Sequence, residues 1–257
     1  MMRKLFNCVI TTPTEAYFLE TNCLPIRFAI IARRLMFYWT ILHKSDKELA
    51  KQFLEAQQIS PSKNDWCLKV VEDMKAVNID LSESEIRSMK KSKFKRIVNI
   101  NIRESARKYL IKLKNKHSKS DGLSEDYKMQ KYLISSELST EEKQLLFHLR
   151  TRTFECRANY SNQYGEDLAC SICGGVDDQQ HLLLCSRTTT GVDFGGVQYC
   201  DIFGPLEKQI KVVKILRKVN HYRTSLVHFN AQYDMDISIS INTLEEVANC
   251  CWITRLF

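Results

Sequence analysis

Three cysteines and one histidine lie within sixteen residues in this chain. Cys170-Ser171-Ile172-Cys173-Gly174-Gly175 is closed, with seven residues between Cys173 and His181, by His181-Leu182-Leu183-Leu184-Cys185. Three thiolates and one imidazole complete a tetrahedral structural metal site and leave no position open for water. A Cys-x-x-Cys turn aims two sulfurs at one centre, and the glycines behind it let the backbone fold tightly. His181 and Cys185 stand four apart, so a helical turn projects both from one face. The softness of the ligands favours zinc. The spacing alone leaves open two alternatives: a set of reduced cysteines beside a surface histidine, or a disulfide. Cys156 and Cys200 are the nearest substitutes should one of the four not be a ligand.

The elements that must position this cluster are expected to be helices. The chain has 257 residues, 44% of them hydrophobic, with only 8 Gly and 4 Pro, too few for an all-β fold with its many turns. The expected fold is mostly α: an irregular helical bundle with a small zinc-knuckle subdomain. The expected divisions are a helical, basic region over 1–165, the knuckle over 166–190, and a C-terminal helix with an unassigned tail over 191–257. A formal charge of +8 admits nucleic acid as a partner. Ten cysteines, with no apolar core following Met1-Met2-Arg3-Lys4, imply a reducing compartment, nucleus or cytoplasm. The run Phe28 to Leu42, split by Arg33-Arg34, is too short and too charged to span a bilayer, so no membrane partner is expected.

Helix signals recur along the chain. Thr14 reads as an N-cap, and Asn22 to Pro25 as a break. Phe28, Ile31, Leu35, Tyr38, Trp39 and Leu42 then form one stripe. Ser45 with Glu48, Ser62 with Asp65, Ser82 with Glu85, and Ser139 with Glu142 have capping-box spacing. From Arg87 to Lys119, expected to be largely one helix, thirteen basic residues face the single acid Glu104, so the rest of the chain is net negative. Such concentrated charge suits a phosphate backbone, because each neutralised phosphate releases counterions. It also suits a solvated lysine-rich face. Ile97, Ile100, Tyr109, Leu110 and Leu113 are expected to form the apolar side. Arg150, Arg152 and Arg157 lead into Asn159-Tyr160-Ser161-Asn162-Gln163-Tyr164-Gly165, a loop able to stack and hydrogen-bond with bases. Past Pro205 a helix is expected to about His228, with Ile210, Val213 and either Ile215 or Val212 and Leu216 inside. Asp236 to Ile241 then alternates like a strand.

Several of these stretches carry a family resemblance. Thr12-Pro13-Thr14-Glu15, Leu19-Glu20-Thr21, Leu24-Pro25-Ile26-Arg27 and Arg33-Arg34-Leu35 resemble the region downstream of the polymerase core in non-LTR retrotransposon reverse transcriptases. So do Leu146-Phe147-His148-Leu149-Arg150-Thr151-Arg152 ahead of a Cys-Cys-His-Cys knuckle, and Tyr199-Cys200-Asp201-Ile202-Phe203 ahead of Gln209-Ile210-Lys211-Val212-Val213. The similarity runs from about residue 10 to about 228. It implies a module that holds template RNA or target DNA beside the upstream polymerase region of a parent polyprotein. The chain departs from the family's polymerase in lacking the palm domain's paired aspartates, which follow an aromatic and one more residue and hold two metal ions for nucleotide transfer. Its one adjacent pair, Asp177-Asp178, follows Val176 and lies inside the knuckle. Without that pair, and without an evident nucleophile and base, no enzyme activity is expected of this chain by itself.

The resulting expectation is a nucleic-acid-binding module with structural zinc on Cys170, Cys173, His181 and Cys185. RNA or DNA would lie along Lys90, Lys93, Lys95, Arg96, Arg103, Arg107, Arg150, Arg152 and Arg157. The rival expectation is a protein-interaction adaptor in which zinc only staples a loop.

Overall fold

In the computed structural model, which describes residues 6, 12–63, 65–160, 163, 165–185 and 188–225, the chain is mostly helical. Among these residues extended chain pairs at one isolated antiparallel bridge, Ala169 with Val176. Contacts gather into two units. One is Thr12–Leu133; the other comprises the described residues of Ile134–Phe257 together with Phe6. The division falls inside the stretch 1–165 expected as one region. The physical reason is that the helices of Thr12–Leu133 close their own core, whereas the helix that follows packs on residues after 198.

In Thr12–Leu133, α1 (Thr14–Thr21) starts behind Pro13, which itself occupies the N-cap with an extended backbone, so Thr14 is the first helical residue and caps nothing. Asn22 ends α1 in the left-handed region at φ 56°, where Asn is tolerated better than most residues. The central rod is α2 (Ile26–Leu42), burying Phe28, Ile31, Leu35, Tyr38, Ile41 and Leu42. Ile41 takes the place expected for Trp39, which is half-buried. Around α2 pack α3 (Leu49–Ile59), α4 (Trp66–Ala76), α5 (Glu83–Ser88) and α6 (Lys91–Lys114); α1 also lies on α6. Both mid-helix arginines leave the apolar face of α2: Arg33 is exposed, and Arg34 pairs with the buried Asp73 of α4.

The capping boxes differ in outcome. At Ser82 the Glu85 N–H donates to the serine hydroxyl at 3.3 Å, and the Glu85 carboxylate accepts the Ser82 N–H at 2.7 Å. At Ser45 no box forms. Helix α3 begins only at Leu49, and the Glu48 carboxylate pairs with Lys44. Asp65 itself is the N-cap of α4, while its carboxylate accepts the Ser62 N–H.

The stretch Arg87–Lys119 is largely one helix, α6, with a break ahead of it and a turn after it. Met89 and Lys90 are extended, α6 ends at Lys114, and a 3₁₀ turn follows at Ser118–Ser120. The interruption is held by the end of α2. Trp39 Nε1–H donates to the Met89 carbonyl at 3.2 Å, and the His43 ring nitrogen Nε2 lies 3.0 Å from the Arg87 carbonyl. Arg87 Nη1 in turn donates to the Leu42 carbonyl at 3.1 Å. Carbonyls that a continuous helix would have satisfied internally thus find partners on α2. The buried face of α6 is Phe94, Val98, Ile102, Ala106 and Leu110, shifted from the expected one: Ile100 is 58% exposed.

The short α7 (Lys131–Ile134) lies where the first unit ends; in the second unit α8 (Thr140–Arg150) opens with a complete capping box between Ser139 and Glu142. It buries Leu146, Phe147 and Leu149, and Phe6 stacks on Phe147 with ring centroids 4.2 Å apart. Ser139→Ala is expected to lower stability by about 1 kcal/mol, seen as a lower urea midpoint with an unchanged slope. A 3₁₀ turn, Tyr199–Phe203, packs on α8. Beyond the one-turn α9 (His181–Leu184), α10 spans 206–225 and buries Ile210, Val212, Val213, Leu216 and Val219. Ile215 is half-buried, so Val212 and Leu216 form the inner register. The alternating stretch Asp236 to Ile241 and the tail lie outside the described residues. No helix among the described residues is long and apolar enough to cross a membrane.

Candidate metal centre and basic helix face

The Cys170–Cys173 turn is built by its backbone. Cys170 N–H donates to the Gly175 carbonyl at 2.6 Å, and Gly174 N–H donates back to the Cys170 carbonyl at 2.8 Å. Gly174 sits at φ 79°, where a side chain would be strained. At Gly175 a Cβ would stand 3.1 Å from His181 Cε1, so a side chain there would press on the imidazole, while Cys173 Sγ at 3.6 Å would be in ordinary contact. On the other side, Cys185 N–H donates to the His181 carbonyl at 2.7 Å, the helical closure that brings positions four apart onto one face. Asp178 Oδ1 accepts the His181 N–H at 2.7 Å and fixes where α9 begins.

These constraints bring the ligand atoms of Cys170, Cys173, His181 and Cys185 within 4.8 Å of one another, with Cys173 Sγ 3.2 Å from His181 Nε2. Bonds of ~2.3 Å around a tetrahedral ion set neighbouring sulfurs roughly 3.8 Å apart, so the cluster can hold a metal ion after small adjustments. Cys170 and Cys185 are buried with Ile172; Cys173 is exposed and His181 half-buried. The described cysteines form no disulfide. The Gly175 N–H draws the Cys173 thiol down, but desolvation and the neighbouring Cys185 and Cys170 thiols outweigh it and leave it raised. Metal loading at neutral pH therefore displaces a proton. Cys156 and Cys200 stand outside the cluster. Burial pushes the Cys156 thiol up to about 11, and Cys200 is exposed.

The adjacent aspartates both serve the architecture. Asp178 holds α9 as above. Asp177 is 1% exposed. Its Oδ2 accepts the Arg157 N–H at 2.9 Å and Arg223 Nη2 at 2.7 Å, and its carbonyl accepts the Ala158 N–H at 3.0 Å. Composition gave no sign of these roles, because Arg223 is 46 residues away.

The candidate nucleic-acid residues divide sharply. Lys90, Lys93, Lys95 and Arg96 are exposed at the start of α6, with no ion pair among the described residues. Lys91, absent from the sequence candidates, joins them, its ammonium 5.8 Å from the Trp39 ring. No side chain caps this helix start, and its first turn holds no acid. Five cations are thus gathered at the positive end of a helix dipole, an arrangement unfavourable by itself and favourable for an anion. Further along, Arg103 is exposed and donates to Asn22 Oδ1 at 3.0 Å. Arg107 is forked on Glu104 through Nε and Nη2, both at 3.0 Å, so part of its charge is already matched.

The arginines of the second unit need correction. Arg150 is 2% exposed, its Nη1 donates to the Ile202 carbonyl at 2.7 Å, and its guanidinium lies 5.0 Å from the Phe203 ring centre. It holds the Tyr199–Phe203 turn and does not reach a strand. Arg152 is exposed. Arg157 is half-buried and pairs with Asp167 at 2.5 Å. In the loop beyond, Asn159 Nδ2 donates to the Phe154 carbonyl at 2.8 Å and the Tyr160 hydroxyl to the Thr153 carbonyl at 2.9 Å. Residues 161, 162 and 164 lie outside the described residues. Comparison with protein-family models, with curated proteins and with solved structures gave no match.

Proposed function

We propose that this chain is a nucleic-acid-binding module stabilised by one structural zinc ion. The observation that carries the reading is the start of α6: Lys90, Lys91, Lys93, Lys95 and Arg96 are gathered on an uncapped helix end with no acid among them. Selection for stability alone would place Asp or Glu there; a phosphate backbone supplies the missing negative charge from outside. Zinc is the ion that three thiolates and one imidazole suit best, and four protein ligands leave it a structural ion. The metal would anchor the loop that carries Arg152 and Arg157, which reach single strands by stacking as well as by charge.

The resemblance to non-LTR retrotransposon reverse transcriptases supports a place beside an upstream polymerase, holding template RNA or target DNA in the reducing interior of the cell. Polymerase chemistry would belong to that upstream region, since Asp177 and Asp178 are committed to the architecture around the metal centre.

The test is an anisotropy titration of single- and double-stranded oligonucleotides at two salt concentrations, with and without chelator. Binding should weaken steeply with salt. Chelation should remove the single-strand preference and leave salt-sensitive, indiscriminate binding. Discrimination unchanged after verified zinc loss would reduce the metal to a staple. Absence of binding under every condition would favour the protein-interaction adaptor.

A further inference from the structure

We infer that His43 is a stacking platform for one nucleobase of a strand whose phosphates lie on the start of α6; the inference rests on the nucleic-acid reading above. His43 is the C-cap of α2 and is exposed. Its ring lies on that of Trp39, with centroids 3.8 Å apart and planes 21° from parallel. The pair is fixed to the chain just ahead of α6. Trp39 Nε1–H donates to the Met89 carbonyl, and His43 Nε2 lies beside the Arg87 carbonyl. Lys91, the first residue of α6, stands 5.8 Å from the centre of the Trp39 ring. The two rings thus border the cluster of cations to which the phosphate contacts are assigned.

What the imidazole can still offer decides the ligand. Nδ1 lies 2.8 Å from the Trp39 carbonyl oxygen and Nε2 3.0 Å from that of Arg87. With both nitrogens engaged, the ring has none left for a phosphate oxygen or a base edge. Trp39 covers one face. What remains is the opposite face, a flat aromatic surface. The cations at the start of α6 repel a second cationic plane such as a guanidinium. The fitting partner is flat, uncharged and tied to anions, which describes a base within a strand. Aromatic rings take such bases without regard to sequence, because every base has a π-face, while neighbouring cations track the backbone. The ring is held at both nitrogens and by its stack, so it loses little freedom when a base settles on it. A duplex end exposes the same kind of face as an unpaired nucleotide. The platform therefore adds affinity for both and does not set the preference for single strands.

The experiment titrates the zinc-loaded chain, by anisotropy at constant salt, with a deoxyadenosine 12-mer, an abasic 12-mer of the same backbone, and a blunt duplex of the same length. His43→Ala should weaken binding of the deoxyadenosine strand about tenfold, within the range of base–aromatic stacking. It should weaken the duplex comparably and leave the abasic strand unchanged. His43→Phe keeps a flat ring without the nitrogens, and should retain most of the affinity for deoxyadenosine. A loss confined to the single strand assigns the platform to an unpaired nucleotide; one confined to the duplex assigns it to a duplex end. Where circular dichroism shows that His43→Ala disturbs the fold, the unaltered chain decides. A bound strand carrying 5-iodouracil should then cross-link on irradiation to His43 or Trp39, mapped by mass spectrometry. Three results overturn the platform and leave the nucleic-acid reading standing. They are unchanged affinity of His43→Ala for all ligands, a loss that extends equally to the abasic strand or to His43→Phe, and cross-links that avoid both rings. Binding of none of the ligands by the unaltered chain overturns both.

Discussion

Cys185→Ser is expected to abolish stoichiometric zinc binding and to unfold the surroundings of the cluster while Thr12–Leu133 stays folded. Cys185 is 2% exposed and packs with Cys170 and Ile172. Serine would leave a small, poorly ligating hydroxyl in that place. The stretch around the cluster has little regular structure to fall back on: one bridge and a single turn of helix. Metal bound there would therefore be folding energy, which in zinc-finger peptides reaches about 10–16 kcal/mol. Hydrogen exchange should show protection lost from Cys170 to Cys185 and kept in α2 and α6, whose unit closes its own core. Zinc analysis of Cys156→Ser is the control, and its metal content should not change. Full zinc content in Cys185→Ser, or unchanged exchange around the cluster, would refute a structural metal centre on these four residues.

The second large effect concerns the start of α6. Replacing Lys90, Lys93, Lys95 and Arg96 together by glutamine should cut the affinity for double-stranded DNA by about 10²–10³-fold near physiological salt. It should also reduce the steepness of log K against log salt by about 3–4, since each phosphate contact contributes about 0.9. The loss should be alike for all sequences, because these side chains act as charges and carry no base code. Thermal stability should stay level or rise slightly, as the substitutions remove cations from the positive end of a helix. A lower melting temperature with an unchanged salt slope would mark the four as structural and remove the observation on which the proposed function rests.

What the sequence made legible follows the range of the interactions involved. The boxes at Ser82 and Ser139 were readable because donor and acceptor lie within four residues, and the Cys170–Cys185 cluster because two local turns aim its four side chains. Ser45 shows the limit: the same spacing yields no cap when Lys44 takes the Glu48 carboxylate and the helix starts at Leu49. The break at Met89–Lys90 was not legible, since it depends on Trp39 and His43, more than forty residues upstream. Arg150 misled for the same reason. On composition it belongs with Arg152 and Arg157, but its partner, the Ile202 carbonyl, lies 52 residues away. The shift of the buried face of α6 from Ile100 to Val98 and Ile102 is subtler. A helix with apolar residues on several sides is oriented by its neighbours, here α1 and α2.

The seven residues between Cys173 and His181 look like a spacer whose length alone matters, yet they have duties elsewhere, among them Gln179, whose Oε1 accepts the Tyr199 hydroxyl. Asp178 fixes the first turn of α9, and Asp177 holds Arg223 and the backbone at Arg157. The interval between the candidate ligands would thus be set twice, once by the geometry of a bound metal and once by these carboxylates. An inserted residue that the metal loop could absorb by bulging would still carry Asp177 away from Arg223 or Asp178 away from His181. Over evolutionary time this segment should accept substitutions at Val176 or Gln180, both exposed, far more readily than any change in its length.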